Sequence, residues 1–127
     1  MVDVGSGDGV VLRLAAEKGA TAIGYEINPL LVVMTRLLSL RYKKVSVRLA
    51  NFWTVELPSD VTLVYAFAVS RDGKKLIKKM QNESDRLNKT LKIVCYGSPF
   101  KKMKADSTFE AYSIYSFRPL HPGKAQV

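Results

Sequence analysis

Cysteine and histidine are nearly absent: one of each, Cys95 and His121, in 127 residues. A lone cysteine excludes an intrachain disulfide, and with no Cys or His companion at ligand spacing no metal site is expected. Reduced thiol chemistry fits a reducing compartment, and the chain reads as cytoplasmic. Long apolar runs are missing too. None approaches the ~18 residues of a membrane span, and the N-terminus lacks the basic-then-apolar pattern of a secretory leader. Acidic residues are scarce, 11 Asp plus Glu against 20 Lys plus Arg, for a net charge of +9 at pH 7. That imbalance favours an acidic partner such as nucleic acid, an anionic surface or an acidic protein, without choosing among them. No Pro-rich linker, low-complexity stretch or repeat interrupts the chain. One domain over residues 1–118 is expected, followed by a disordered tail over residues 119–127 that holds the only histidine.

What is present is an alternation of strand and helix patterns. Met1 to Val4 is a short apolar run broken by glycine, after which Val10, Val11, Leu14 and Ala15 recur at helical spacing. Thr21 to Ile27 is β-branched and apolar. After Asn28-Pro29, the residues Leu30, Val33, Met34, Leu37, Leu38 and Arg41 form one helical stripe, with Pro29 where a first turn tolerates it. Val45 to Leu49 and Val61 to Phe67 are further strands. Leu76, Ile77, Met80 and Leu87 mark a helix ending near Asn88, and Leu91 to Tyr96 is a fifth strand. Such alternation predicts an α/β fold of parallel βαβ units with right-handed crossovers. Thr108 to Phe117 predicts an antiparallel closing strand, with a short partner around Lys101 to Lys104.

The first turn carries the chemistry. Gly5, Gly7 and Gly9 follow the first strand, where ligands of open α/β sheets bind. The spacing is G-x-G-x-G, and Val10 breaks the dinucleotide pattern G-x-G-x-x-G. Asp3 and Asp8 flank and enter the loop, where they would repel a pyrophosphate and attract a cation. S-adenosylmethionine, with an α-ammonium and a sulfonium, fits where a phosphate does not. Glu26 closes the second strand 17 residues after Gly9, at the position of a carboxylate that accepts from both ribose hydroxyls.

Val2-Asp3-Val4-Gly5-Ser6-Gly7-Asp8-Gly9, then Gly24-Tyr25-Glu26-Ile27-Asn28-Pro29, then Asn51-Phe52-Trp53 resemble successive motifs of class I, seven-strand methyltransferases. Within that class the chain is most similar to small archaeal protein-lysine methyltransferases and to the ATP synthase c-subunit lysine methyltransferase family. The similarity runs from residue 1 to about Phe100. It implies a Rossmann-like, three-layer α/β/α sheet and S-adenosyl-L-methionine as cofactor. It also implies that Asp3, Gly5, Gly7 and Asp8 border the methionine part, Glu26 binds the ribose, and Asn51 with Phe52 flanks the adenine, with Ser6, Gly9 and Ile27 completing the cofactor site. Asn51 stands where many relatives have aspartate, keeping an amide oxygen for the adenine amino group without the charge.

The resemblance implies an acceptor site at Ala66, Phe67 and Ala68 after strand four and at Ser98, Pro99 and Phe100 after strand five. Methyl transfer from a sulfonium is an in-line displacement that needs positioning more than side-chain chemistry, so no catalytic residue is assigned. An Asn/Asp-Pro-Pro-aromatic motif is absent from the segment Ala66-Phe67-Ala68-Val69-Ser70, which counts against amino methylation of nucleic-acid bases. Protein lysine leads as acceptor, RNA follows, and a non-catalytic cofactor- or nucleic-acid-binding domain is the third reading. The first strand begins at Met1 or Val2, so the resemblance implies a pocket without its usual N-terminal cover: either the domain is truncated or minimal, or a partner chain covers the pocket, and self-association is expected on that ground.

Plainer readings stand beside these. Asp3 and Asp8 could cap the following helix, Glu26 could be a solvated strand end, and Trp53 and Cys95 could be core. Between Arg71 and Lys104 there are 11 basic and three acidic residues, and a solvated helix face accounts for Lys74, Lys75, Lys78 and Lys79 as well as a binding surface does.

Overall fold

A computed structural model, describing residues 1–67, 72–97 and 100–121, shows an α/β chain that divides into two compact units, residues 1–56 and 57–127. The first unit runs β1 (Val2–Val4), α1 (Val10–Glu17), β2 (Ala22–Glu26), α2 (Pro29–Leu38) and β3 (Val45–Leu49). Its strands are all parallel in the order β3-β2-β1, with Val2 opposite Ile23 and Ala22 opposite Val45. Parallel neighbours need crossovers, and α1 and α2 supply them. Leu12, Ala22, Val32 and Val47 form the core of this unit. The Asn28 side chain accepts the Leu30 N–H at 2.9 Å, and Pro29 occupies the first turn, so α2 starts where the sequence places it.

The face that α2 buries differs from the stripe read in the sequence. Val32, Thr35 and Ser39 are buried, whereas Leu30, Val33, Met34, Leu37 and Leu38 are exposed. The polar side is held inward by specific bonds. Thr35 Oγ1 donates to the Gly7 carbonyl at 2.8 Å, and Arg13 reaches Ser39 Oγ at 3.3 Å. Likewise α1 buries Leu12, while Val10 and Leu14 are exposed.

The second unit contains β4 (Leu63–Phe67), α3 (Gly73–Leu87), β5 (Leu91–Tyr96), β6 (Ser107–Phe109) and β7 (Tyr112–Phe117). Its strand order is β4-β5-β7-β6, with β4 and β5 parallel and β7 antiparallel to both neighbours. The closing segment is a hairpin rather than one strand from Thr108. Its short partner is Ser107–Phe109, not Lys101 to Lys104, because Glu110 adopts a left-handed φ of 52° and turns the chain.

Ladder register sorts the faces of this unit. Val64, Ala66, Leu91, Ile93, Cys95, Ser113, Tyr115 and Phe117 share one face and are all buried. Helix α3 lies against β7, burying Leu76 and Met80, and Ser84 Oγ bonds the Phe117 carbonyl at 2.8 Å. The helix ends as expected at Asn88, whose φ of 51° closes it. Glu83 anchors the start of the unit, accepting from the Leu57 N–H at 2.8 Å and from Arg86 at 2.6 Å. Of the expected tail, residues 122–127 lie outside the described residues. The Leu120 and His121 N–H groups donate to Asp85 Oδ1 at 2.7 and 3.2 Å.

Candidate functional site

The first unit gathers Asp3, the glycine loop, Glu26, Ile27, Asn51 and Phe52 around the carboxyl ends of parallel strands. The loop doubles back on β2: the Gly5 and Ser6 N–H groups both donate to the Tyr25 carbonyl, at 3.0 and 3.3 Å. Gly9 then enters α1 with φ 83°, and a β-carbon there would collide with Thr35 Cγ2. Glycine is thus required for two reasons, backbone handedness and the approach of α2. Gly5 and Gly7 also have positive φ, but a β-carbon on either would meet open space.

Glu26 is no solvated strand end. It is buried, and its two oxygens accept the N–H groups of Gly7 and Asn28, each at 3.0 Å. One carboxylate therefore ties the loop after β1 to the start of α2, and each oxygen retains a lone pair for a further donor. Asp8 accepts the Val10 N–H at 3.2 Å just before α1, whose N-cap is Gly9. Asp3 does not cap. It is buried on β1, and burial followed by repulsion from Glu26 pushes its carboxyl from an ordinary 3.8 up to about 7. Neither Asp3 nor Glu26 forms a salt bridge among the described residues.

Ser6 adds a third polar group. Its Oγ is buried without a hydrogen-bond partner among the described residues, seated where a β-carbon on Gly24 would clash with it. Two buried carboxylates and an unpartnered hydroxyl beneath an open glycine loop suit a cationic, hydroxyl-bearing ligand, whereas a phosphate would meet only repulsion. Ile27 is exposed just beyond Glu26, and Asn51 is exposed with its side-chain oxygen on the Trp53 N–H at 3.0 Å. Phe52 is buried, its ring 6.5 Å from Tyr25 and 5.3 Å from Trp53. Tyr25 is buried against Phe52. Thr35, which holds the loop through Gly7, has no motif to announce it.

In the second unit the expected acceptor residues part company. Ala66 is buried on the face covered by α3, and Phe100 is buried with its ring 4.6 Å from Tyr115 and its N–H on the Tyr115 hydroxyl at 2.9 Å. Ala68, Ser98 and Pro99 lie outside the described residues. Phe67 ends β4 at the surface, 65% exposed. Register extends it into a row: Phe67 is opposite Tyr96, Tyr96 opposite Tyr112, and Tyr112 opposite Phe109. Residues directly opposite share a face. The Phe67 and Tyr96 rings stack at 5.4 Å and 13°, and Tyr112 meets Tyr96 edge-on at 4.9 Å. The row crosses all four strands at the carboxyl ends of β4 and β5. Sequence reading found only Phe67, because the register that aligns the other three was not available to it.

Comparison with known proteins follows the same lines. A family model for the ANTKMT methyltransferase domain matches residues 3–107. The human lysine N-methyltransferase of the ATP synthase c-subunit is 32% identical over 128 residues, covering 93% of this chain and 53% of that protein. The protein of the same name from Xenopus laevis is 32% identical, covering 86% of this chain and 48% of its own length. The chain thus spans about half the length of these curated relatives. Among solved structures, an RNA methyltransferase from Salinibacter ruber in complex with S-adenosyl-L-homocysteine superposes with a TM-score of 0.76 at 24% identity, over 97% of this chain and 82% of its own. The 23S rRNA methyltransferase ErmE gives a TM-score of 0.62 at 20% identity, over 75% of this chain and 38% of its own. Those two likenesses establish the class I methyltransferase fold, and the extent of the family match establishes more: the chain belongs to the ANTKMT methyltransferase domain family.

Proposed function

We propose that this chain binds S-adenosylmethionine in its first unit and transfers the methyl group to a protein lysine. The observation that carries the reading is the buried Asp3 and Glu26 pair, unmatched by any cation among the described residues, beneath the glycine loop. Asp3 and the loop would face the methionine ammonium, Glu26 the ribose hydroxyls, and Ile27 with Asn51 the adenine. When bound, the cofactor supplies a methyl carbon activated by an adjacent sulfonium. What the protein contributes is placement: Glu26 and Thr35 fix the loop from two sides, so the donor is held without conformational search.

The lysine acceptor is supported by family membership, relatives of which are named for lysine N-methylation. On the chain itself, the row Phe67, Tyr96, Tyr112 and Phe109 is suited to receive a lysine. Aromatic faces attract the ammonium and cover the methylene stem.

Labelled-methyl transfer to a cell extract tests the acceptor. Label removed by protease and retained after nuclease supports lysine. Label that survives protease and is lost to nuclease makes RNA the substrate, and no label with intact cofactor binding leaves a non-catalytic domain.

A further inference from the structure

Helix α2 presents an apolar face with nothing from this chain's first unit upon it. Leu30, Val33, Met34 and Leu37 fall at i, i+3, i+4 and i+7, on the side of the helix opposite the buried Val32, Thr35 and Ser39. Leu30 is 79% exposed and Leu37 64%. Leu38 and Leu40 at the end of the helix extend the patch, at 54% and 77%. A stripe this continuous is unusual for surface left to water.

The charges carried by this segment itself have one sign. From Ile27 to Val55 the sequence contains Arg36, Arg41, Lys43, Lys44 and Arg48 and no aspartate or glutamate. All five are exposed, and the Arg36 guanidinium donates to the Val47 carbonyl at 3.0 and 3.3 Å. An apolar helix face on a segment whose own charges are all basic, with Glu17 of α1 reaching it only as far as the Tyr42 hydroxyl at 3.0 Å, suits a helix that lies in the plane of a bilayer, with leucines in the acyl boundary and basic groups among anionic headgroups. A second copy of this chain fits less well, because apposing two such patches would bring like charges together.

We propose that the exposed face of α2 docks this protein onto an anionic phospholipid bilayer, lying on the membrane without crossing it. No helix among the described residues is long and apolar enough to cross. The surface is independent of the cofactor and acceptor readings.

Flotation with vesicles tests it. The wild-type chain should float with vesicles of phosphatidylcholine containing one-third phosphatidylglycerol and bind pure phosphatidylcholine at least about tenfold more weakly. The double variant Val33→Glu/Leu37→Glu should lose binding to anionic vesicles by at least about tenfold, since two exposed apolar side chains that would enter the acyl boundary become charges. Leu37→Ile should retain it. Both positions are exposed, so unchanged circular dichroism and melting temperature in the variants separate lost docking from lost fold. The proposal is overturned if wild type fails to float with anionic vesicles, or if the double variant floats as well as wild type. It is also overturned if sedimentation without lipid shows a wild-type dimer that the double variant dissociates, which would assign the face to self-association.

Discussion

Asp3 offers the sharpest physical consequence of the site. Its carboxyl is pushed from 3.8 to about 7, first by burial and second by Glu26. The native state therefore holds a proton that the unfolded chain has already released, and between pH 4 and pH 7 the native state binds more protons than the unfolded one. Stability from this group is fully present below pH 4 and is lost as pH rises through 7. At 1.36 kcal/mol per pH unit, a rise from 3.8 to about 7 is worth about 4 kcal/mol. Asp3→Asn keeps the shape and removes the ionisation. Urea unfolding should show the variant gaining on wild type as pH rises from 4 to 8, with a final advantage of about 2–4 kcal/mol. A difference that is flat with pH, or that moves the other way, would refute the buried-pair reading. The same group should make cofactor affinity pH-dependent. An approaching ammonium favours the ionised carboxylate, so binding near pH 6 should release a proton, seen as a dependence of the calorimetric heat on buffer ionisation enthalpy.

Four further outcomes follow from the geometry. Glu26→Ala should weaken S-adenosylmethionine binding about 5- to 150-fold, for 1–3 kcal/mol of hydrogen bonds to a charged acceptor, measured by calorimetry. Gly9→Ala should cost more than the ~1–2 kcal/mol of a left-handed alanine, because Thr35 is in the way, whereas Gly5→Ala should cost only that strain in urea unfolding. Tyr96→Ala should raise the KM for a lysine acceptor peptide with cofactor affinity unchanged, while Tyr96→Phe retains it, in steady-state methylation. Cys95, which burial pushes up to about 11, should react with a disulfide reagent at neutral pH only when the chain is unfolded.

Local signals were the legible ones. Asn28-Pro29 started a helix where the sequence said, Asn88 ended another, and the glycines with Asp3 and Glu26 marked one end of the first unit. Each is a short-range rule about backbone or charge. The face of α2 was not legible in the same way. Periodicity reports that apolar residues share a side, but which side turns inward was decided by Thr35 and Ser39, whose partners Gly7 and Arg13 are distant in sequence. The aromatic row escaped for a related reason: Phe67, Tyr96, Tyr112 and Phe109 become neighbours only through strand register. The hairpin was misplaced because alternation continues through Glu110, whose positive φ leaves no compositional trace. Asp3 and Asp8 looked alike in the sequence, and only the structure separates the buried Asp3 from the exposed Asp8, which accepts the Val10 N–H.

Calorimetric titration of the wild-type chain with S-adenosylmethionine bears most directly on the central claim. A single site whose affinity falls in Glu26→Ala is the predicted result. No heat of binding at millimolar cofactor, from protein that is folded by circular dichroism, would contradict it.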